Sequence, residues 1–226
     1  MKTLKVLAAL LAYPDPEIMA AGEEFKAVLK SENWLSASGR KGLDDFLARL
    51  GGMDIDDVQE IYVALFDRTP SLSLYLFEHV HGDSRDRGQA LVELDSLYRE
   101  KGLENASEHT PDYLPLFLEY LSLLPSQEAR ENLQGAIDVI AAVGARLKKR
   151  ESFYAALFDA LEDVAARKPD PRKLSLALKA HDGRALAPEE MDAAWEQQFA
   201  LAPLTEGTPG GCPRAEDMLK RMETGS

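Results

Sequence analysis

Three patterns in the sequence predict an all-α fold, a single bundle-like domain of about ten helices. Apolar residues recur at helical spacing along most of the 226 residues, and capping residues or proline and glycine stops separate the segments. No run alternates between apolar and polar residues for more than a few positions, which argues against β-strands. We expect the helical domain to span residues 1–201 and a flexible, glycine- and proline-rich tail to span 202–226.

Local signals delimit the first helices. Leucines form one stripe between Leu4 and Leu11. Asp15 is the expected N-cap of a second helix with Pro16 in its first position, and its apolar face continues as far as Leu29. Two further helices are predicted, one that ends at Gly51-Gly52 and one that begins at Asp54 and turns Tyr62 and Phe66 inward.

The same pattern continues through the second half of the chain. Asp83 or Ser84 is the expected cap of a long helix that ends at Gly102 and turns four residues inward: Leu91, Leu94, Leu97 and Tyr98. A strongly apolar helix follows from Tyr113 to Leu124, with Asp112 as its cap. The remaining helices are predicted over 126–147, 153–164, 171–180 and 188–199.

Charge and cysteine content exclude several classes of function. The chain has 26 Lys and Arg against 39 Asp and Glu, a net charge of −13. A protein that binds nucleic acid or an anionic membrane needs an excess of basic residues, so we expect basic or apolar partners instead.

The single cysteine, Cys212, cannot form a disulfide or a cysteine-rich metal site within one chain. With no apolar run long enough to span a membrane, we expect a cytoplasmic protein.

The segment from Leu72 to Val80 is the most unusual part of the sequence. Apolar residues recur at helical spacing on two opposite sides of it, which is typical of a helix that is buried or lies against a partner. A central core helix and the wall of a binding groove both fit this pattern. Asp67, Glu78 and His79 favour the groove, because charged groups in apolar surroundings need partners.

Two other sites are conceivable in the same region. His79, His81 and Asp83 could form a metal site only in an extended segment, since residues i and i+2 of a helix point about 200° apart. Arg85 and Arg87, at the start of the next helix, could hold an anion such as a phosphate. A small metal- or nucleotide-binding enzyme is therefore an alternative, although no nucleophile with a neighbouring base supports it.

Three segments resemble signatures of a known family. They are Phe66-Asp67-Arg68, the run from Leu76 to Ala90, and the run from Pro111 to Leu121. All three are similar to segments of the nitrate reductase molybdenum cofactor assembly chaperones, the NarJ family. The resemblance covers about residues 1–200.

The resemblance implies an all-helical cytoplasmic chaperone and not an enzyme. Such a chaperone binds the N-terminal segment of the apo nitrate reductase catalytic subunit. It keeps that subunit competent for insertion of the molybdenum cofactor and the iron–sulfur cluster before membrane docking. A leader-peptide proofreading chaperone for another exported molybdoenzyme is the alternative within the same class. No cofactor is expected to be bound permanently, while transient contact with the molybdenum cofactor and with cofactor-biosynthesis proteins remains open.

An amphipathic, basic peptide helix would suit an apolar groove with acid at its rim. We expect ten residues to lie near this groove: Tyr62, Phe66, Asp67, Phe77, Glu78, His79, Asp112, Tyr113, Phe117 and Tyr120. Arg85 and Arg87 are the candidates for a cofactor phosphate, and no metal ligands are predicted. We expect no nucleic acid partner, no stable membrane insertion, and a monomer or weak dimer.

Overall fold

A computed structural model describes residues 1–81 and 85–180. Eleven α-helices occur in these residues: α1 (Lys2–Leu11), α2 (Pro16–Ala20), α3 (Gly22–Ser31), α4 (Ala37–Gly51), α5 (Ile55–Tyr62), α6 (Glu78–His81), α7 (Arg85–Glu100), α8 (Leu114–Leu123), α9 (Ser126–Lys149), α10 (Ala155–Ala165) and α11 (Pro171–Ala180). A π-helical turn, Val63–Asp67, extends α5, and a short 3-10 helix covers Pro70–Leu72. No β-strand occurs in the described part, which confirms the all-α prediction.

The core is built around α9, the longest of these helices. Its inward face carries Leu133, Ile137, Ile140 and Leu147, all fully buried. Helix α10 packs along α9 on one side and against α4 on the other, while α11 also lies on α9. The first helix, α1, lies along α8, so the two most leucine-rich segments of the chain cover each other.

Several local predictions are confirmed. The Asp15 carboxylate accepts a hydrogen bond from the Ile18 N–H at 2.9 Å and so caps α2. Asp54 caps α5 in the same way, and Gly52 follows the last residue of α4. Gly102 adopts a φ of +78°, a left-handed conformation that glycine accepts without steric cost, just after α7 ends.

The structure corrects other predictions. The helix expected from Asp15 to Leu29 is divided at Ala21 into α2 and α3. The apolar segment from Leu72 to Val80 is not one helix, because the 3-10 helix ends at Leu72, the residues around Tyr75 are extended, and α6 begins only at Glu78. Tyr113, not Asp112, is the N-cap residue of α8, since the Asp112 carboxylate is used in contacts with other segments.

Helix α7 is less buried than its pattern predicts. Of the four residues expected to face inward, only Tyr98 is buried, and Leu91, Leu94 and Leu97 are half-buried.

Three predictions lie outside the described residues: the caps at Asp83 and Ser84, the helix over 188–199 and the boundary at residue 201. Among those residues, no helix is long and apolar enough to cross a membrane.

Candidate functional site

An extended segment crosses the start of α8 at the centre of the predicted site. The Leu76 N–H donates to the Asp112 carbonyl at 3.0 Å, and the Leu114 N–H donates to the Leu74 carbonyl at 2.8 Å. These bonds form an isolated antiparallel bridge between Tyr75 and Tyr113. Backbone groups that a continuous helix would have satisfied internally are paired here with a segment far away in sequence.

Asp112 fixes this crossing with its side chain. The carboxylate is fully buried and accepts hydrogen bonds from the Phe77 N–H at 3.0 Å and from the Thr110 hydroxyl. Charge-assisted bonds of this kind are stronger than neutral ones, and they offset the cost of burying the charge. Asp112 therefore positions the segment and is not available to a ligand in this conformation.

His79 and Glu78 tie the next turn to Ser73. The His79 Nε2 lies 2.8 Å from the Ser73 carbonyl, and the Ser73 hydroxyl donates to the Glu78 carboxylate. His79 is buried, whereas Glu78 is half-buried and also faces Arg87. The described residues contain no cluster of three or more groups suited to a metal ion.

Tyrosine residues from four segments meet beside this crossing. The Tyr62 hydroxyl donates to the Leu11 carbonyl at 3.0 Å and lies 3.0 Å from the Tyr113 hydroxyl. Tyr13 packs edge-on against the Tyr62 ring with centroids 5.5 Å apart. Two more contacts extend the group outward, since the Tyr75 hydroxyl lies 2.7 Å from His109 Nδ1 and the His109 ring stacks on Tyr113.

Asp67 is exposed and lies within electrostatic range of three of these tyrosines. Burial is the main cause that raises the pKa of Tyr62, Tyr75 and Tyr113, and the negative charge of Asp67 adds to the shift at all three. The Asp67 carboxylate is exposed, and no other described residue donates a hydrogen bond to it or forms an ion pair with it. We call the exposed or half-exposed residues Tyr13, Asp67, Tyr75 and His109, together with the buried Tyr62 and Tyr113 that they neighbour, the tyrosine site.

The structure brings together only some of the predicted site residues. Tyr62, Asp67 and Tyr113 belong to the tyrosine site, and Phe77, Glu78, His79 and Asp112 lie beside it along the crossing segment. Phe66, Phe117 and Tyr120 are buried core residues. Phe66 packs against Tyr62 and Tyr154, and Tyr120 lies against Tyr98 of α7.

Three exposed or half-exposed members of the tyrosine site are absent from the predicted residues: Tyr13, Tyr75 and His109. Tyr13 and His109 belong to loops whose neighbours in space lie far away in sequence, so helical spacing carries no signal for them. In the sequence, Tyr75 belongs to the apolar pattern from Leu72 to Val80, and that pattern does not distinguish it as a site residue. Of the predicted anion pair, Arg87 contacts Glu78, and the side chain of Arg85 lies outside the described part.

The arrangement is suited to recognition rather than to covalent chemistry. It offers the exposed Asp67 carboxylate, which has no partner among the described residues, and the exposed or half-exposed rings of Tyr13, Tyr75 and His109, which can receive a basic group and an apolar face. A family model described as "Nitrate reductase delta subunit" matches residues 32–163 of the chain. The "Nitrate reductase molybdenum cofactor assembly chaperone NarJ" of Escherichia coli (strain K12) is 43% identical over 199 residues, which cover 88% of this chain and 84% of that protein.

This chain belongs to the NarJ family of assembly chaperones. Two further relatives agree with this membership. The "Probable nitrate reductase molybdenum cofactor assembly chaperone NarW" of Escherichia coli (strain K12) is 37% identical, over 88% of this chain and 82% of that protein. The "Probable nitrate reductase molybdenum cofactor assembly chaperone NarJ" of Bacillus subtilis (strain 168) is 29% identical, over 73% of this chain and 91% of that protein.

Membership of the NarJ family confirms the resemblance found in the sequence. It makes the chain a maturation chaperone rather than an enzyme, and it sets aside the alternative of a small metal- or nucleotide-binding enzyme. The matched residues 32–163 include Tyr62, Asp67, Tyr75, His109 and Tyr113, so the family match covers most of the tyrosine site. Tyr13 lies before the matched range.

Proposed function

We propose that this chaperone binds the N-terminal segment of the apo nitrate reductase catalytic subunit at the tyrosine site. Bound there, the subunit stays competent for insertion of the molybdenum cofactor and the iron–sulfur cluster before membrane docking. The observation that carries the proposal is the exposed Asp67 carboxylate, whose charge acts on Tyr62, Tyr75 and Tyr113 and which has no partner among the described residues. The nitrate reductase and the cofactor in this proposal come from the relatives, which are named as nitrate reductase molybdenum cofactor assembly chaperones.

The charge of the chain supports a basic client segment. A net charge of −13 attracts a positively charged peptide from a distance and raises the rate of encounter. At short range, Asp67 and Glu78 would meet basic side chains, while Tyr13, Tyr75 and Phe77 would receive the apolar side of an amphipathic helix. Weaker binding at high salt is the expected consequence.

In this proposal the molybdenum cofactor is cargo that enters the client. Arg87 is paired with Glu78 inside the chaperone, which leaves its guanidinium less available to a cofactor phosphate. Direct, transient contact between chaperone and cofactor therefore stays a prediction that no described side chain supports. The chaperone's own role is to hold the client segment and delay its docking.

Calorimetry with a synthetic client peptide tests the proposal. The probe is the first ~15 residues of the catalytic subunit, about four turns of helix. We expect saturable one-to-one binding to the full chain, and Asp67→Lys to weaken it about tenfold, because a repelling charge replaces an attracting one. Asp45→Lys, on the exposed face of α4, is the control with the same change in net charge.

The outcomes are distinct. No heat of binding up to high micromolar peptide would refute the proposed client, and equal weakening by both lysine variants would show that only net charge matters. Competition with a twin-arginine leader peptide separates the two kinds of client. If the leader peptide displaces the catalytic-subunit peptide with higher affinity, the chain is a leader-peptide proofreader instead.

A further inference from the structure

Helix α7 is firmly held at its C-terminal end. The Tyr98 side chain is fully buried, its hydroxyl donates to the Pro111 carbonyl at 2.7 Å, and its ring lies 4.5 Å from the ring of Tyr120. Lys101, just after the helix, forms an ion pair with Glu128 of α9 at 2.9 Å. This end of α7 is thus anchored to the core beside the start of α8.

Arg87, in the first turn of α7, makes an incomplete contact with Glu78 of α6. Arg87 Nη2 lies 3.2 Å from Glu78 Oε1, and the two side chains are 23% and 36% exposed. The second Glu78 oxygen accepts from the Ser73 hydroxyl, so the two-point fork that makes arginine–carboxylate pairs strong is not formed. Arg87 Nε is buried and has no hydrogen-bond partner among the described residues, which makes the closed arrangement costly.

The part of α7 between these two ends buries few of its side chains. None of the residues from 88 to 97, all within the described part of the chain, is buried. Leu91, Leu94 and Leu97 form a half-buried stripe, and Val92 is 61% exposed. A segment with few buried contacts opens at a lower free-energy cost than the core around it.

We infer that Arg87 is an internal substitute for a basic residue of the client. In the free chaperone its guanidinium occupies the Glu78 carboxylate and holds the first turns of α7 against α6. A client lysine or arginine takes its place on Glu78, Arg87 moves into solvent, and the first turns of α7 separate from α6. The half-buried leucines of α7 then become available to the apolar side of the client. This inference rests on the proposed function.

The exchange is close to balanced in free energy. Glu78 has one cationic partner before and after the exchange, so its carboxylate charge stays paired. Arg87 gains water for its unpaired Nε, which removes a penalty that the free chaperone carries. The client therefore needs to supply only the apolar contacts that open α7, and a modest affinity is enough to shift the population.

The test is peptide binding to Arg87→Gln, measured by calorimetry with the same catalytic-subunit peptide. Removing the internal competitor should tighten binding about two- to fivefold, the range that a partly exposed ion pair contributes. In a Glu78→Gln background the same substitution should have no effect, because there is no longer a carboxylate to compete for. Arg99→Gln removes the Arg99–Asp95 ion pair in the last turns of the same helix and serves as the control.

Unchanged or weaker peptide binding by Arg87→Gln would overturn the inference, because Arg87 would then be a bystander or a direct contact of the client. Hydrogen exchange of the amides from 88 to 94 gives a second readout that needs no client. Faster exchange in Arg87→Gln, but not in Arg99→Gln, is expected, and equal exchange would overturn the inference. If the native chain binds no peptide, the proposed function fails, while the exchange measurement still decides whether Arg87 holds α7.

Discussion

The hydroxyl groups of Tyr62 and Tyr113 lie 3.0 Å apart in the protein interior, although 51 residues separate them in the sequence. Tyr62 also donates to the carbonyl of Leu11 at the end of α1. This pair of phenols therefore joins α1, α5 and the start of α8. Part of the tyrosine site thus belongs to the core, and we expect substitutions of this pair to change stability as well as the proposed recognition.

Tyr62→Phe should destabilise the protein by about 1–3 kcal/mol, the cost of leaving a buried acceptor without its donor. Urea unfolding at neutral pH measures the change. Tyr13→Phe is the control, since Tyr13 is 49% exposed and its ring contact with Tyr62 survives the loss of the hydroxyl. A loss of stability in the control as large as in Tyr62→Phe would argue against the buried hydrogen bond as the cause.

Asp112→Ala should cost about 3 kcal/mol or more, because the Phe77 N–H and the Thr110 hydroxyl lose a buried charged acceptor. Asp112→Asn keeps one carbonyl oxygen and should cost less. Hydrogen exchange at the Leu76 and Phe77 amides locates the effect. Amides that exchange as slowly in Asp112→Ala as in the native chain would show that Asp112 does not fix the crossing segment.

Two glycines of α9 should respond in opposite directions to alanine. A Cβ at Gly144 would lie 2.9 Å from the Cβ of the fully buried Phe158, so Gly144→Ala should destabilise the protein by about 1–3 kcal/mol. A Cβ at Gly135 meets nothing within 4 Å, so Gly135→Ala should stabilise it by up to about 1 kcal/mol. Thermal unfolding compares them, and effects of the same sign would contradict the close packing of α9 on α10.

Glu32 should make stability depend on pH in the acid range. Burial by itself raises the pKa of Glu32, but hydrogen bonds from the Thr3 and Lys2 N–H groups and the Thr3 hydroxyl together hold it below its ordinary value. A lowered pKa stabilises the fold above the ordinary value of about 4.3, and this contribution disappears as the pH falls through the folded-state pKa.

Glu32→Gln should therefore be less stable than the native chain at neutral pH, with a difference that shrinks below about pH 4. Urea unfolding at several pH values checks this. Glu60→Gln, an exposed carboxylate on α5, controls for the loss of one charge. A difference that stays constant down to low pH would mean that the carboxylate charge of Glu32 contributes nothing at the start of α1.

Local chemistry explains the predictions that succeeded. Asp15 and Asp54 cap helices because their side chains reach the N–H groups of the first turn, a contact within three residues. The extended segment around Tyr75 was predicted wrongly because its apolar spacing also fits a helix. The pairing with Asp112 and Leu114 decided its conformation, and those partners lie almost forty residues later in the sequence.

The sequence by itself determined the all-α class, most of the helices and the family of this chaperone. Helical periodicity, caps and signature segments depend only on residues that are close together in the sequence. Only the tertiary structure decided which predicted site residues share a surface. It placed Asp67 within electrostatic range of three tyrosines, buried Phe117 and Tyr120 in the core, and brought Arg87 to Glu78. These outcomes depend on how distant helices pack, because burial and charge pairing are set by neighbours in space.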